Sequence, residues 1–154
     1  MSAAATPKGP FKGKGRELGQ WADLFRAGRR EVGNALRDRR ERRDVVRGEL
    51  RQLAEQVRQA FRDPPLRIVY ARAQGWVWRV RASRPEAETL VACLAQPVAQ
   101  RIIAGLPGSV ARFLLSIEVS RLNLNTEYLL LGHEIRLLEQ WLERQKPLGR
   151  RKPA

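Results

Sequence analysis

The chain holds a single cysteine, Cys93, and a single histidine, His133, among 154 residues. One thiol excludes an internal disulfide framework and fits a reducing compartment. One imidazole and one thiolate cannot build a zinc-type cluster within one chain. No serine sits in the Gly-x-Ser-x-Gly setting of a nucleophile elbow. Glu118, Glu127, Glu134, Glu139 and Glu143 are dispersed as on an ordinary wet helix face, without the convergence that acid–base chemistry requires. No apolar run approaches the roughly 18 residues of a membrane-spanning helix. The opening Met1-Ser2-Ala3-Ala4-Ala5-Thr6-Pro7 lacks the apolar centre of a secretory signal. The expectations are therefore a cytoplasmic protein that is not an enzyme, with no metal or other cofactor, no small-molecule substrate and no membrane association.

Acidic residues are scarce too: 16 Asp and Glu stand against 30 Lys and Arg, a formal charge of +14. The surplus is segregated. Residues 64–84 carry Arg67, Arg72, Arg79, Arg81 and Arg84 and no acid, whereas residues 85–145 carry five Arg against seven Glu. A GC-rich coding sequence accounts for Arg over Lys but not for the surplus or its placement. Charge of this size bears on partners rather than on fold, and clustered cations fit nucleic acid, DNA rather than RNA being the expected polymer.

Residues 1–15, with Pro7, Gly9, Pro10, Gly13 and Gly15, read as a flexible basic arm carrying Lys8, Lys12 and Lys14. From Arg16 a helical period begins through Leu18, Trp21, Phe25, Val32, Leu36, Val46, Leu50, Leu53, Val57 and Phe61, with a break at Gly28 to Gly33 and an end before Pro64-Pro65. Leu66 to Arg72 and Trp76 to Ala82 alternate with period two, and Ala73-Gln74-Gly75 supplies the turn. Leu66, Ile68 and Tyr70 share a face with Trp76, Trp78 and Val80; Arg67, Arg79 and Arg81 share the other. Ser83 to Glu86 has capping-box spacing, which predicts a helix through about Leu94, followed by a second over Pro97 to Ala104. Ser109 is placed to cap a last helix running to about Gln145, before Pro147. Its stripe is Leu114, Ile117, Leu124, Tyr128, Leu131, Ile135, Leu138 and Leu142, with Arg121 out of class and a flanking row of Leu115, Leu122, Leu129, Leu130 and Leu137. Residues 146–154 read as a flexible basic tail.

The Phe11 to Gly15 stretch is not a phosphate-cradling loop: Lys14 falls five places after Gly9, no Ser or Thr follows, and no strand precedes. Its lysines can still meet phosphates beside a helix N-terminus, or serve only as a solubilising tail. The run Arg37, Arg39, Arg40, Arg42, Arg43, Arg47 and Arg51 is either a backbone-contacting groove or an ion-laced wet face, with Asp38 placed to pair Arg42. Arg67, Arg79 and Arg81, with Arg72 and Arg84 at the ends of the hairpin, read as having no acid nearby and as able to enter a groove. Trp76 and Trp78 read as core, the alternative being base stacking. Trp21, Phe25, Trp141 and Tyr128 read as core. Arg121 is expected to snorkel or to pair with Glu118, and Asn123 and Asn125 to face solvent, neighbouring elements or a second chain.

Three segments together, Pro10-Phe11-Lys12-Gly13-Lys14-Gly15-Arg16-Glu17-Leu18, the Trp-rich hairpin, and Arg121-Leu122-Asn123-Leu124-Asn125 before a leucine-rich helix, resemble an uncharacterised family, a domain of unknown function encoded in integrating conjugative elements of proteobacteria. The resemblance implies a setting of DNA mobilisation or element maintenance. It implies no activity and carries over no functional residue.

The expected fold is α+β, mainly α. Two long antiparallel helices have a hairpin (about 66–82) and short helices between them, in one domain over residues 16–145. The expected function is a non-enzymatic nucleic-acid-binding accessory protein using Arg67, Arg72, Arg79, Arg81, Arg84, Arg39, Arg40, Arg43, Arg47, Lys12 and Lys14. The alternative is an interaction module forming a homodimer through the leucine-rich last helix.

Overall fold

A computed structural model describes residues 14–81 and 88–149. The chain is mainly helical. Helices α1 (Lys14–Ala27) and α2 (Arg29–Ala60) precede strands β1 (Leu66–Ala71), β2 (Gly75–Arg81) and β3 (Glu88–Val91), then helices α3 (Pro97–Ala104) and α4 (Gly108–Gly149). The glycine break falls at Gly28, whose φ of 98° ends α1. Its carbonyl accepts the Val32 N–H at 3.1 Å and so starts α2.

The described residues form two compact units, one within Arg39–Ile135 and a smaller one combining the described residues up to Asp38 with those from Arg136 onward. In the smaller unit Trp21, Phe25 and Trp141 stack in series, with centroids 5.8 and 5.4 Å apart. Val32, Leu36 and Leu138 are buried there. The larger unit holds the main core. Its α2 stripe of Val46, Leu50 and Val57 and its α4 stripe of Leu114, Ile117, Tyr128 and Leu131 enclose Leu66, Ile68, Trp76, Trp78, Val80 and Val91 of the sheet. Each fully buried aliphatic side chain contributes about 1.5–3 kcal/mol. Within this unit α2 and α4 run antiparallel, since Arg39 meets Glu134 while the later Arg42 meets the earlier Glu127.

The hairpin register pairs Leu66 with Val80, Ile68 with Trp78 and Tyr70 with Trp76, the inner face expected from the alternation. Gln74 N–H closes the turn on the Ala71 carbonyl at 3.1 Å, and Gly75 takes a φ of 74°. Space is also short at Gly75, where a Cβ would collide with Asn125 Oδ1.

Three expectations are corrected. The helix expected through Leu94 is instead strand β3, which pairs with β2 from Trp78↔Val91 to Arg81↔Glu88 and makes a three-stranded sheet of order β1-β2-β3. The capping signal is local, whereas an uncovered β2 edge leaves a row of backbone groups unpaired; Ser83 to Glu86 themselves lie outside the described residues. Ser109 is not the cap of α4. The helix begins at Gly108, and the Pro107 carbonyl accepts from Val110 and Ala111 N–H at 3.0 Å each. Finally, α4 continues through Pro147 to Gly149. So near a helix end a proline removes only one intrahelical bond, that to the Glu143 carbonyl. Arg29 Nη2 donates to the Gln145 carbonyl at 2.6 Å and helps hold this last turn. Helix α3 spans Pro97–Ala104 as expected.

Candidate functional site

Three surfaces of the larger unit carry the side chains of interest. The first is the outer sheet face. Arg67 and Arg79 are directly opposed across β1 and β2, with Arg81 two residues further along β2. With Pro64 and Pro65 they line a depression of about 50 Å³. The expectation that no acid lies nearby is overturned. Arg81 Nη1 pairs with Asp63 Oδ2, and the register sets Glu88 opposite Arg81. Asp63 falls just outside the acid-free stretch of sequence, shortly before β1. Arg79 also has an interaction within the chain. Nor is this face wholly basic: Val77, opposite Val69, is 1% exposed, and Leu90, opposite Arg79, is exposed. Arg72 is an exposed turn residue. Arg84 and Lys12 lie outside the described residues, and Lys14 heads α1.

The second surface follows from the arginine run of α2, which divides by helix face. Arg39 Nε donates to Glu134 Oε2 at 2.8 Å, and Arg42 makes two bonds to Glu127 at 2.6 and 3.1 Å. Arg42 therefore pairs across to α4 rather than with Asp38, and its pKa is raised by the Glu127 hydrogen bond and charge. Arg40 has an interaction of its own. On this side Arg39 and Arg42 are ion-paired with glutamates of α4.

Arg43, Arg47 and Arg51, four residues apart, turn elsewhere. The Arg43 guanidinium lies over the Tyr128 ring, 4.4 Å from its centroid, and that of Arg47 lies at 5.9 Å. Gly132 makes room for Arg43, since a Cβ there would stand 3.0 Å from Nη2. Arg47 donates to Tyr128 Oη at 3.5 Å, the main cause of its raised pKa, and to Asp44 Oδ1 at 3.3 Å.

Arg47, Arg51, Tyr70, Trp76 and Tyr128 line a cleft of about 270 Å³. Tyr70 is 53% exposed although it belongs to the inner hairpin face. Its ring meets Tyr128 edge-on at 6.4 Å and Trp76 at 5.7 Å. The indole Nε1 of Trp76 is buried without an acceptor among the described residues. Tyr128 and Trp76, read from sequence as core, are both core and cleft wall. The i,i+4 spacing of Arg43, Arg47 and Arg51 was the available signal for the cationic side of this cleft.

Polar α4 side chains hold the hairpin beneath the cleft. β3 pairing stops at Trp78↔Val91, and beyond it α4 supplies partners for the backbone of Trp76. Asn125 Oδ1 accepts the Trp76 N–H at 2.8 Å, and Arg121 Nη1 donates to the Trp76 carbonyl at 2.7 Å. Arg121 also donates to the Ala92 carbonyl at 2.7 Å and to Glu118, which accepts the Trp78 indole N–H as well. Arg121 is fully buried, so it pairs with Glu118 and does not snorkel; Asn125, at 9% exposed, is turned inward. Trp78, at 0%, is core alone.

The third surface is the opposite side of α4. Leu115, Val119, Leu122, Leu129 and Leu130 are 38–61% exposed. The exposed residues of α4 from 115 to 133 include no Asp, Glu, Lys or Arg. The hydroxyls of Ser116 and Thr126 turn back onto the carbonyls of Phe113 and Leu122, lowering the polarity of this side further.

Among the described residues no group of three His, Cys, Asp or Glu converges as a metal site, and no helix is long and apolar enough to cross a membrane. No protein-family model, no curated protein and no solved structure matches the chain.

Proposed function

We propose that the protein binds nucleic acid, DNA being the expected polymer, chiefly through its phosphate backbone. The observation that carries this reading is the direct opposition of Arg67 and Arg79 beside Arg81 around one small depression. The guanidinium groups of these three arginines line one depression, and charge-assisted hydrogen bonds from guanidinium to phosphate are among the stronger ones. The Arg81–Asp63 pair is more than half exposed on both sides, and such pairs contribute little, so exchange of Asp63 for a phosphate costs little. Binding of this kind supplies affinity without sequence selection. The resemblance to proteins of integrating conjugative elements would place such an accessory role in DNA mobilisation or element maintenance.

The test is a triple variant, Arg67→Ala, Arg79→Ala and Arg81→Ala, titrated against an oligonucleotide at several salt concentrations. Affinity falls, and the slope of log K against log[salt] becomes shallower by roughly 0.7–0.9 for each phosphate that the variant no longer neutralises. Helical content by circular dichroism stays unchanged. Unaltered affinity and slope would move the site elsewhere.

The charge-free side of α4 favours a second, compatible reading, a homodimer. Positions 115, 119, 122, 126, 129 and 133 follow the four-three alternation of a coiled-coil seam, filled by Leu, Val, Leu, Thr, Leu and His. Contiguous exposed apolar surface marks interaction sites, and depletion of charge is the compositional mark of an interface centre. A second copy suits this side because two-fold pairing sets each stripe against its equivalent and needs no opposite charge. Sedimentation is predicted to show concentration-dependent dimers, and a concentration-independent monomer removes the reading.

A further inference from the structure

We infer that the cleft between α2, the hairpin and α4 holds one unpaired nucleobase of a single strand, with the adjoining phosphate on Arg47 and Arg51. The inference rests on the nucleic-acid reading and gives it a strand preference. Three observations converge. The walls combine planar rings with guanidinium groups, the two elements by which sequence-tolerant single-strand binders stack bases and track the backbone. Tyr70 keeps about half its surface in solvent at the mouth of this cleft, although its strand neighbours on the same face, Leu66 and Ile68, are buried. The third is the Trp76 indole N–H, on a side chain nine-tenths buried, which has no acceptor among the described residues and so leaves a donor for a base carbonyl.

Size and charge narrow the ligand. A cleft of about 270 Å³ lies just below the roughly 300–1,000 Å³ of pockets that enclose whole drug-sized ligands, so one base enters and the rest of the strand stays outside. Arg47 is shared with Tyr128 and Asp44, whereas Arg51 is exposed and lies at the wall. A paired base presents no free ring face, so duplex meets this cleft poorly and depends on the outer sheet face alone.

The experiment measures binding of an oligothymidylate of about 12 nucleotides, a matched duplex and thymidine monophosphate by tryptophan fluorescence and anisotropy. Proteins compared are wild type, Tyr70→Ala, Tyr70→Phe and Arg51→Ala, each checked for unchanged circular dichroism. Tyr70→Ala is expected to weaken single-strand binding by roughly 10- to 100-fold, the range of one base–aromatic stack. Duplex binding changes less than twofold, and Tyr70→Phe retains wild-type affinity. Arg51→Ala weakens single-strand binding and lowers its salt slope. Equal single-strand affinity in wild type and Tyr70→Ala overturns the cleft assignment while the backbone reading stands. Mononucleotide binding as tight as the oligomer's overturns the assignment to a strand. Absence of salt-dependent binding to either polymer by wild type overturns both.

Discussion

Arg121 ties helix α4 to the sheet and to the segment after β3. It is a fully buried cation that joins α4 to the Trp76 and Ala92 carbonyls and is neutralised by Glu118, itself 5% exposed. Removing one partner of a buried pair leaves an uncompensated charge, so Glu118→Ala is predicted to lower unfolding free energy by about 3–5 kcal/mol in a urea titration. The double variant Glu118→Gln, Arg121→Met recovers only part of that, because the Trp76 and Ala92 carbonyls then lose their donor. A loss below about 1 kcal/mol for Glu118→Ala would contradict the pairing. Gly75→Ala is predicted to cost about 1–3 kcal/mol, since it places a side chain at positive φ and displaces Asn125 from the hairpin backbone. Wild-type stability in that variant would mean that the turn readily adopts another conformation. At this scale sequence was half informative. Arg121 stood out as the one charged residue in an apolar stripe, and Glu118 one turn earlier was the right partner. Asn125 was opaque, because its buried position follows from where β3 stops pairing, which helical spacing does not report.

Among the elements, legibility followed the length of the repeating pattern. The long stripes of α2 and α4, the alternation of β1 and β2 with the turn between them, and helix α3 were all readable. Strand β3 was not: four residues offer almost no period, and its existence depends on the open edge of β2. The arginine run of α2 was readable as a choice between a wet ion-paired face and a binding groove. The structure divides it, with Arg39 and Arg42 neutralised by α4 glutamates and Arg43, Arg47 and Arg51 beside aromatic rings. The flanking leucine row of α4 was legible as surplus apolar surface, and its members Leu115, Leu122, Leu129, Leu130 and Leu137 are all exposed. If that row is a dimer seam, Leu122→Glu sets two carboxylates against each other and converts a dimer to monomer in sedimentation, with the helical signal unchanged. Persistence of the dimer in Leu122→Glu would place the seam on another face.

For the whole molecule, the +14 charge was read directly from composition, but its availability was not. Part of the surplus is held in place by carboxylates that return from other elements, Asp63 at Arg81, Glu127 at Arg42 and Glu134 at Arg39. Under the proposed function the polyanion meets the outer sheet face and the Arg43 to Arg51 side of α2. The salt dependence of binding reports directly on how many such cations meet phosphate, because each neutralised phosphate releases condensed counterions. The most direct test is therefore the affinity of the intact protein for a random oligonucleotide, measured by anisotropy across a salt series. A straight plot of log K against log[salt] is expected, with a slope of about −2 or steeper, from three or more phosphates. A flat plot, or no binding at low salt, would contradict it.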